Sequence, residues 1–449
     1  MASYQCPAAL RRSNFGVSAM AALTCVTLLM PCTASTWSGN GHSYGNKFSL
    51  SGNGRYVALE SESTNLVAGD TNGFPDIFVL DTQDGSVIRA SVGAAGAQAV
   101  GGSSVNPSIS SDGTKIAFQS AATNLAAGDT NGALDVFVHD LSTNTTVRVS
   151  VDSLNAQASG ASSHPSISSD GLHVAFHSAA TDLVAGDTNG FADVFVRDLF
   201  AGTTVRASVH SSGAQATGGG SQISSINSDG TKVAFESTAT TLVTPETVGL
   251  SNVYVRDLSA GTTVLASVGP SGEGFGNSYS TSISSNGTKV AFESSASDLV
   301  VDDTNLSFDV FVRDLSTNTT VRASVNSSGI QTAGNTPSQY PSISGDGTKV
   351  AFHSPAANLV EGDTNTLNDI FVRDLSAGTT VRANLTSSGV QGTGGASHYP
   401  SISSDGTRVS FQSNDTFAQD ENGLVDVFVR DLTAGTTTVP VTISAFGLE

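Results

Sequence analysis

The sequence predicts an all-β fold: a seven-bladed β-propeller with four antiparallel strands in each blade, preceded by a signal peptide. Three observations support this prediction. A unit of about sixty residues recurs seven times. Every unit contains four short strand patterns with an Asp-Gly or Asn-Gly pair between the first two. The second and third patterns are apolar on both faces, so each sheet must be covered on both sides.

The repeat is most easily followed through the Asp or Asn of this pair, because successive markers lie 57 to 60 residues apart. A fixed period of this size indicates a solenoid or a propeller, and the absence of helical patterning argues against helical repeats. The markers are Asn53, Asp112, Asp170, Asp229, Asn286, Asp346 and Asp405.

The third unit illustrates the content of the repeat. Its strand patterns cover residues 165–169, 172–176, 193–199 and 203–209. Asp170 and Gly171 form the turn between the first two strands, and such a pair is typical of a tight hairpin in which both turn residues have positive φ. In the second strand, Val174 and Phe176 face one side and Ala175 faces the other. Four-stranded sheets that cover one another in a closed ring form a propeller.

The predicted domain is a single propeller over residues 46–449. Its blades are expected at approximately residues 46–105, 106–163, 164–221, 222–279, 280–339, 340–398 and 399–449. The first strand (47–51) opens the first unit and the last strand (436–444) ends the seventh. We therefore expect the ring to close with little or no exchange of strands between the termini.

Residues 1–34 are predicted to be a signal peptide. Arg11 and Arg12 precede an apolar run over residues 15–30, and small residues favour cleavage after Ala34. No segment reaches the twenty or so apolar residues that a membrane crossing needs. All three cysteines lie in the leader, and a lipoprotein anchored through Cys32 is the alternative. We expect an exported protein, periplasmic or extracellular, without a membrane span.

The net charge excludes one class of partner. The chain carries a formal charge of −20, which becomes −22 once the two leader arginines are removed. An acidic body repels phosphate backbones, and the basic residues recur at repeat positions instead of forming a free patch. We expect a monomer that does not bind nucleic acid.

The repeat resembles a known family. The run Pro-Ser-Ile-Ser-Ser-Asp-Gly-Thr-Lys-Val-Ala-Phe followed by Asp-Val-Phe-Val-Arg-Asp-Leu is similar to the WD-like repeat of TolB-type propellers, from about Asn46 onward. This chain has seven units where TolB has six. The resemblance implies the propeller fold, and no residue role is carried over from it.

The loop between the second and third strands suggests a metal. Six units read Asp-x-Asn-x-x-x-Asp, which resembles a shortened calcium loop of integrin-type propellers. The alternative is that these side chains bond to backbone amides and pin the turn. The calcium candidates are Asp70, Asn72, Asp76, Asp129, Asn131, Asp135, Asp187, Asn189, Asp193, Asp303, Asn305, Asp309, Asp363, Asn365, Asp369, Asp420, Asn422 and Asp426; the fourth unit has Glu246, Val248 and Asn252 instead.

A large polar residue follows the second strand in every unit, and aromatic or polar residues stand where the first strand begins. We expect both sets to line the channel mouth on the loop-bearing face, which would suit a peptide or glycan. The alternative is that they are solvated strand ends. The ligand-face candidates are Glu60, Gln119, His177, Glu236, Glu293, His353, Gln412, Tyr279, Tyr340 and Tyr399, with Asn106, His164 and His398 also at the strand starts.

The arginines of the third and fourth strands are expected to pair with repeat aspartates. Those of the third strand are Arg197, Arg256, Arg313, Arg373 and Arg430, and those of the fourth are Arg89, Arg148, Arg206, Arg322 and Arg382.

The leading functional hypothesis is a binding or interaction module for protein, peptide or glycan. The alternatives are a polysaccharide-active lyase or hydrolase and a structural surface or adhesive component. Some similar propellers are lyases with a histidine-bound metal, but His164, His177, His353 and His398 belong to units on opposite sides of the ring. No nucleophile-elbow, metalloprotease or phosphate-loop motif occurs, so no catalytic residue is assigned.

Overall fold

The computed structural model describes residues 40, 43, 48–392, 394–415, 417 and 424–438. In this part of the chain, seven four-stranded antiparallel sheets and one two-stranded hairpin are formed. The predicted all-β, seven-bladed propeller is therefore confirmed. The predicted leader lies outside the described residues. No helix in the described ranges is long and apolar enough to cross a membrane.

Each blade is built from four consecutive strands. The strands are β1 (Ser49–Leu50), β2 (Tyr56–Ser61), β3 (Asp76–Asp81), β4 (Val87–Arg89); β5 (Ser104–Ile109), β6 (Lys115–Ser120), β7 (Asp135–Asp140), β8 (Thr145–Arg148); β9 (Ser162–Ile167), β10 (His173–Ser178), β11 (Asp193–Asp198), β12 (Thr203–Arg206); β13 (Ser221–Ile226), β14 (Lys232–Ser237), β15 (Asn252–Asp257), β16 (Thr262–Leu265); the extra hairpin β17 (Val268–Gly269) and β18 (Gly272–Glu273); β19 (Ser278–Ile283), β20 (Lys289–Ser294), β21 (Asp309–Asp314), β22 (Thr319–Arg322); β23 (Gln339–Ile343), β24 (Lys349–Ser354), β25 (Asp369–Asp374), β26 (Thr379–Arg382); β27 (Ser397–Ile402), β28 (Arg408–Ser413), β29 (Asp426–Asp431) and β30 (Thr436–Thr438). One turn of 3₁₀ helix spans Ala94–Gly96.

The first strand of each blade lines the central channel, and the fourth lies at the rim. Neighbouring inner strands are adjacent all the way round, including β1 beside β27. Blades two to seven each begin one or two residues before their predicted boundaries, as β9 does at Ser162. The predicted last strand, 436–444, is described only as far as Thr438.

The hydrophobic cores lie between blades. Val174 and Phe176 of the third blade pack in the same cluster as Ala117 of the second blade. Ala175, on the opposite face, packs in the cluster that contains Phe235 of the fourth blade. The expectation that these strands are covered on both faces is confirmed, because each blade supplies one face to each of its two neighbours.

Serine side chains join the inner strands of neighbouring blades. Ser166 Oγ in the third blade accepts a hydrogen bond from Ile226 N in the fourth at 3.2 Å. The same bond closes the ring, because Ser401 Oγ accepts from Leu50 N at 3.2 Å. The remaining acceptor and donor pairs are Ser49 and Ile109, Ser108 and Ile167, Ser225 and Ile283, Ser282 and Ile343, and Ser342 and Ile402. We call these seven bonds the serine ties.

The lower end of the channel is narrow. The isoleucines of the serine ties, with Leu50, line a cavity of about 120 Å³ there. Below them, backbone bonds run from blade to blade, as from Ser285 N to Gly345 O (2.9 Å) and from Gly345 N to Ser404 O (2.8 Å). A Cβ atom on Gly345 would lie 2.1 Å from Ser404 Oγ, so glycine permits this close approach.

The turn between the first two strands differs from the prediction. Ser168 N donates to His173 O at 2.9 Å, so four residues lie between the paired ends. In this turn only Gly171 has positive φ, at 68°. Asp170 instead accepts the backbone N–H of Leu172 at 2.9 Å. The expected two-residue turn with two positive φ values was therefore wrong, because the aspartate side chain supports a longer loop.

The segments that connect the blades protect the outer strand edges. Ser211 Oγ accepts from Thr263 N at 2.8 Å and donates to Thr263 O at 3.2 Å, as a neighbouring strand would. Exposed strand edges can pair with other chains, so covering them favours solubility. Equivalent contacts join Ser153 with Thr204, Ser327 with Thr380, and Ser387 with Thr437.

Candidate functional site

An arginine lies at the centre of the predicted calcium loop. In the third blade, Arg206 Nη1 is 3.1 Å from Asp187 Oδ1 and 3.2 Å from Asp193 Oδ2. Gln215 donates to the same Asp187 oxygen at 2.7 Å, and Ser208 donates to Asp193 Oδ1 at 2.6 Å. Burial, followed by the charge of Asp193, raises the pKa of Asp187. The guanidinium thus holds the place between two carboxylates that a metal ion would need.

The asparagine of the loop bonds within the loop. Asn189 Nδ2 donates to Asp193 Oδ2 at 3.1 Å, and Asn189 Oδ1 accepts from Phe191 N at 2.9 Å. These are the bonds that the turn-pinning alternative predicts. Asn72 and Asn305 make the same two kinds of bond in their own loops.

The ion pair recurs in other blades. An arginine lies within 2.9 to 3.4 Å of both aspartates in three further loops, those of Arg89, Arg322 and Arg382. In the second blade, Arg148 lies 3.6 Å from Asp135, and Gln157 bonds to both Asp129 and Asp135 at 2.9 Å. The predicted pairing of the five fourth-strand arginines with repeat aspartates is confirmed.

The fourth blade shows what happens when the ion pair is lost. Leu265 replaces the arginine, Asn252 replaces the second aspartate, and Glu273 replaces the glutamine. Asn252 Nδ2 then donates to Glu273 Oε1 at 2.7 Å, while Glu246 is exposed. The arginine and its aspartate are both replaced in this blade, whereas the seventh unit keeps Asp420 and Asp426 with Val439 at the arginine's position.

The donor set does not fit calcium. Within the described ranges, no group of three or more His, Cys, Asp or Glu residues could hold a metal ion. The loop oxygens already accept bonds from arginine, glutamine, serine and the backbone, whereas calcium needs six to eight oxygens. The turn-pinning interpretation is therefore favoured. Asp420 and Asn422 lie outside the described residues, and Asp426 is buried on β29.

The third-strand arginines do not pair with aspartates as expected. Arg197 Nη1 donates to the carbonyl of Asp152 at 2.9 Å and to Thr204 Oγ1 at 3.1 Å. Arg373 donates to the carbonyls of Asn326 and Gly378 at 3.1 and 2.9 Å. These arginines bond to loop carbonyls because the outer-strand threonines and the connecting segments surround them.

The large polar residue of the second strand is mostly buried, so the alternative of solvated strand ends is wrong. Glu293 is 4% exposed, and its Oε2 accepts a bond from Tyr340 N of the next blade at 2.7 Å. Burial raises the pKa of Glu293 and raises that of Glu60 to about 7. The equivalent acceptor and donor pairs are Glu60 and Asn106, Gln119 and His164, Glu236 and Ser280, and His353 and Tyr399. We call these five bonds the latches.

Each latch ends on a residue with a left-handed backbone. Tyr340 has φ 52°, and the inner strand has a β-bulge at this point, where its pairing register with the second strand shifts. A bulge redirects side chains, and here it aims this residue into the channel. The bulge residues are Asn106, His164, Ile223, Ser280, Tyr340 and Tyr399. Tyr279 and His398, which the sequence placed with them, lie one residue earlier.

The bulge residues surround a cavity of about 400 Å³ in the upper part of the channel, which we call the chamber. Its lining differs from blade to blade. Tyrosines line it in the fifth, sixth and seventh blades, whereas the first three contribute Phe48, Asn106 and His164. The full lining is Phe48, Asn106, His164, Gln222, Ile223, Glu236, Tyr279, Ser280, Thr281, Ser282, Glu293, Tyr340, Pro341, Ser342, Tyr399, Pro400 and Ser401.

An aromatic corner forms one wall of the chamber. The rings of Tyr340 and Tyr399 are 4.6 Å apart at 83°, and His353 lies 5.2 Å from Tyr340. Burial, helped by His398, lowers the pKa of His353 to about 3, so this imidazole is neutral at neutral pH. Burial and the neighbouring Tyr399 raise the pKa of Tyr340 to about 12.

The four histidines considered for a lyase-type metal form two pairs. His164 stacks on His177 at 5.0 Å, and His353 packs against His398 at 5.2 Å. His177 also bonds to Ser163 Oγ at 2.9 Å.

Of the ten ligand-face candidates, five line the chamber: Glu236, Glu293, Tyr279, Tyr340 and Tyr399. Glu60, Gln119, His177, His353 and Gln412 do not. The sequence missed Phe48, Gln222 and Thr281. A usable signal existed for the bulge, because four of its six residues precede a proline.

No protein-family model and no curated protein matches the chain in sequence. Solved structures match it in fold. An oligogalacturonate lyase in complex with manganese has a TM-score of 0.52 at 10% identity, with 89% of this chain and 96% of that chain covered. The propeller domain of the Trilobed protease from Pyrococcus furiosus, described as having an open velcro topology, has a TM-score of 0.51 at 13% identity over the same shares.

TolB from Acinetobacter baumannii matches at 16% identity with a TM-score of 0.41, over 73% of this chain. The chain spans 63% of the length of that TolB. The predicted resemblance to TolB-type propellers is confirmed for the fold, which the seven four-stranded blades establish. At these identities the likenesses extend no further than the fold.

Proposed function

We propose that the protein is an exported binding module that takes part of a peptide, protein or glycan ligand into the chamber. One observation carries this proposal: the chamber is where the repeat is broken. The serine ties use the same residue type in all seven blades. The bulge residues a few positions earlier are Asn, His, Ile, Ser or Tyr.

In a repeat protein, a residue that the fold requires recurs in every repeat. The side chains around the chamber vary from blade to blade, so the fold does not require them and they can contact a ligand. The cavity volume falls in the range of ligand pockets.

The proposal is tested by soaking crystals with a set of soluble oligosaccharides, tripeptides and small amines. We expect density in the chamber against Tyr340 or Tyr399 for at least one compound. Calorimetry on that compound should show weaker binding to Tyr399→Ser and unchanged binding to Phe191→Ser, which alters an exposed loop residue. Hits confined to other surfaces, or no hit in the chamber, would contradict the proposal.

A further inference from the structure

We infer that the group held in the chamber is an organic cation, an ammonium or alkylammonium head. This inference rests on the proposed function and names the chemistry of its ligand. The chamber combines two carboxylates with tyrosine faces, and its described lining contains no lysine or arginine.

The carboxylates belong to Glu236 and Glu293, which line the same cavity. Each uses one oxygen on a latch: Glu236 Oε1 accepts from Ser280 N at 2.6 Å, and Glu293 Oε2 accepts from Tyr340 N at 2.7 Å. Glu293 Oε1 accepts a long bond of 3.4 Å from Gln339 Nε2, and the Ser280 side chain also hydrogen-bonds to this carboxylate. Buried carboxylates are costly unless a cation compensates them, so a bound ammonium would be stabilised here.

The latch itself does not require a charge. Gln119 occupies the same place in the second blade and accepts from His164 N at 2.7 Å. Glutamine therefore supports the bulge as well as glutamate does. Glu236 and Glu293 lie in two adjacent blades beside the tyrosines. Their carboxylates are not required for the latches, because glutamine makes the same bond.

The aromatic corner points to the same ligand. Tyr340 and Tyr399 pack edge to face, with ring centroids 4.6 Å apart at 83°, and both line the chamber, so a cation held there lies beside aromatic surface. Aromatic faces attract ammonium groups through the ring quadrupole, and aromatic cages select alkylated ones. His353, which packs on both tyrosines, is neutral and adds no opposing charge. The net charge of −20 also draws cations towards the protein.

The test compares ligands that differ in charge and share a shape. Choline chloride is titrated by calorimetry at pH 8, where Glu293 is more fully ionised, against 3,3-dimethyl-1-butanol, its uncharged isostere. We expect choline to bind at least about tenfold more tightly. N-acetyl-lysine amide is titrated in the same way. Tighter binding of this compound than of choline would identify a lysine side chain of a peptide, instead of a free amine, as the source of the ammonium.

Matched variants separate the charge from the latch. Glu293→Gln should weaken choline binding about tenfold. Glu60→Gln makes the same change at a latch outside the chamber and should leave binding unchanged. Tyr340→Leu should weaken binding about fivefold, whereas Tyr340→Phe keeps the ring face and should not.

Several results would overturn the inference. Equal binding of the uncharged isostere would do so, as would equal effects of Glu293→Gln and Glu60→Gln. If both cations fail while chitobiose binds in a Tyr340-dependent way, the cation inference fails and the proposed function stands. If nothing binds in the chamber, both fail.

Discussion

The two ends of the central channel differ in how strictly their residues recur from blade to blade. At the lower end, every blade contributes a serine tie and an aliphatic residue, and the close spacing excludes even a Cβ atom at Gly345. At the upper end, the same strands separate at their bulges, and the residue at each bulge varies. Repetition thus marks the positions that hold the ring together. The proposed ligand would contact the positions where this repetition is lost.

The largest loss of stability is expected from a substitution at a charged residue that recurs from blade to blade. Arg206→Leu leaves Asp187 and Asp193 buried without their cation and should lower the free energy of unfolding by about 4 kcal/mol, measured by urea denaturation. The control also replaces both aspartates, with Asp187→Asn and Asp193→Asn added, so that no buried carboxylate is left without its cation. It should recover most of the loss. A loss below about 1 kcal/mol in the single variant would show that the ion pair is dispensable.

The next largest effect is the contribution of a latch to the pH dependence of the free energy of unfolding. Burial raises the pKa of Glu60 from its ordinary 4.5 to about 7, so the folded protein binds a proton that the unfolded chain has released. Stability from this group is complete below pH 4.5 and is lost as the pH rises through 7, by at most about 3 kcal/mol. Glu60→Gln should remove this decline. Parallel stability curves for the two proteins from pH 4.5 to 8 would contradict it.

A pair of substitutions on one strand compares the two ends directly. Ile343→Ala, at the narrow end of β23, should cost about 2 kcal/mol because it opens a cavity between blades. Tyr340→Ser, three residues earlier and half-exposed in the chamber, should cost less than about 1 kcal/mol. Thermal denaturation of both variants tests the difference. Equal losses would mean that the chamber residues also hold the ring.

The smallest effect concerns calcium. Because arginines lie in five of the six acidic loops, melting temperatures in calcium and in chelator should agree within about 1 °C. Differential scanning calorimetry provides the measurement. A large stabilisation by calcium would return attention to the loops, and the seventh in particular, where Asp420 and Asn422 were predicted ligands.

The sequence was sufficient for the fold because the period and the two-faced strands are local patterns that repeat. Val174, Ala175 and Phe176 already require two covered faces. The chamber was only partly predictable. The latch from Glu293 reaches a residue 47 positions away, and it forms because Tyr340 takes a left-handed conformation. That conformation shifts the pairing register of the inner strand. Tyr340 is therefore at the bulge, whereas Tyr279 lies one residue before the bulge of its own blade, although both were predicted to be equivalent residues at the strand start.

The arginine found in the acidic loops could not be predicted from the loop motif for a similar reason. Asp187 and Asp193 form a recognisable motif, but their cation comes from Arg206 on the next strand but one, which the loop pattern does not contain. The fourth blade held the missing signal, because Leu265 replaces the arginine where the aspartates are lost.

The serine tie between Ser401 and Leu50 matches the six ties between blades that the chain already links. The junction where the ring closes is therefore held by the same bond as the others. A circular permutant opened between the third and fourth blades, with the old termini joined, should consequently assemble the same ring. The order of the blades in space would then be independent of where synthesis starts.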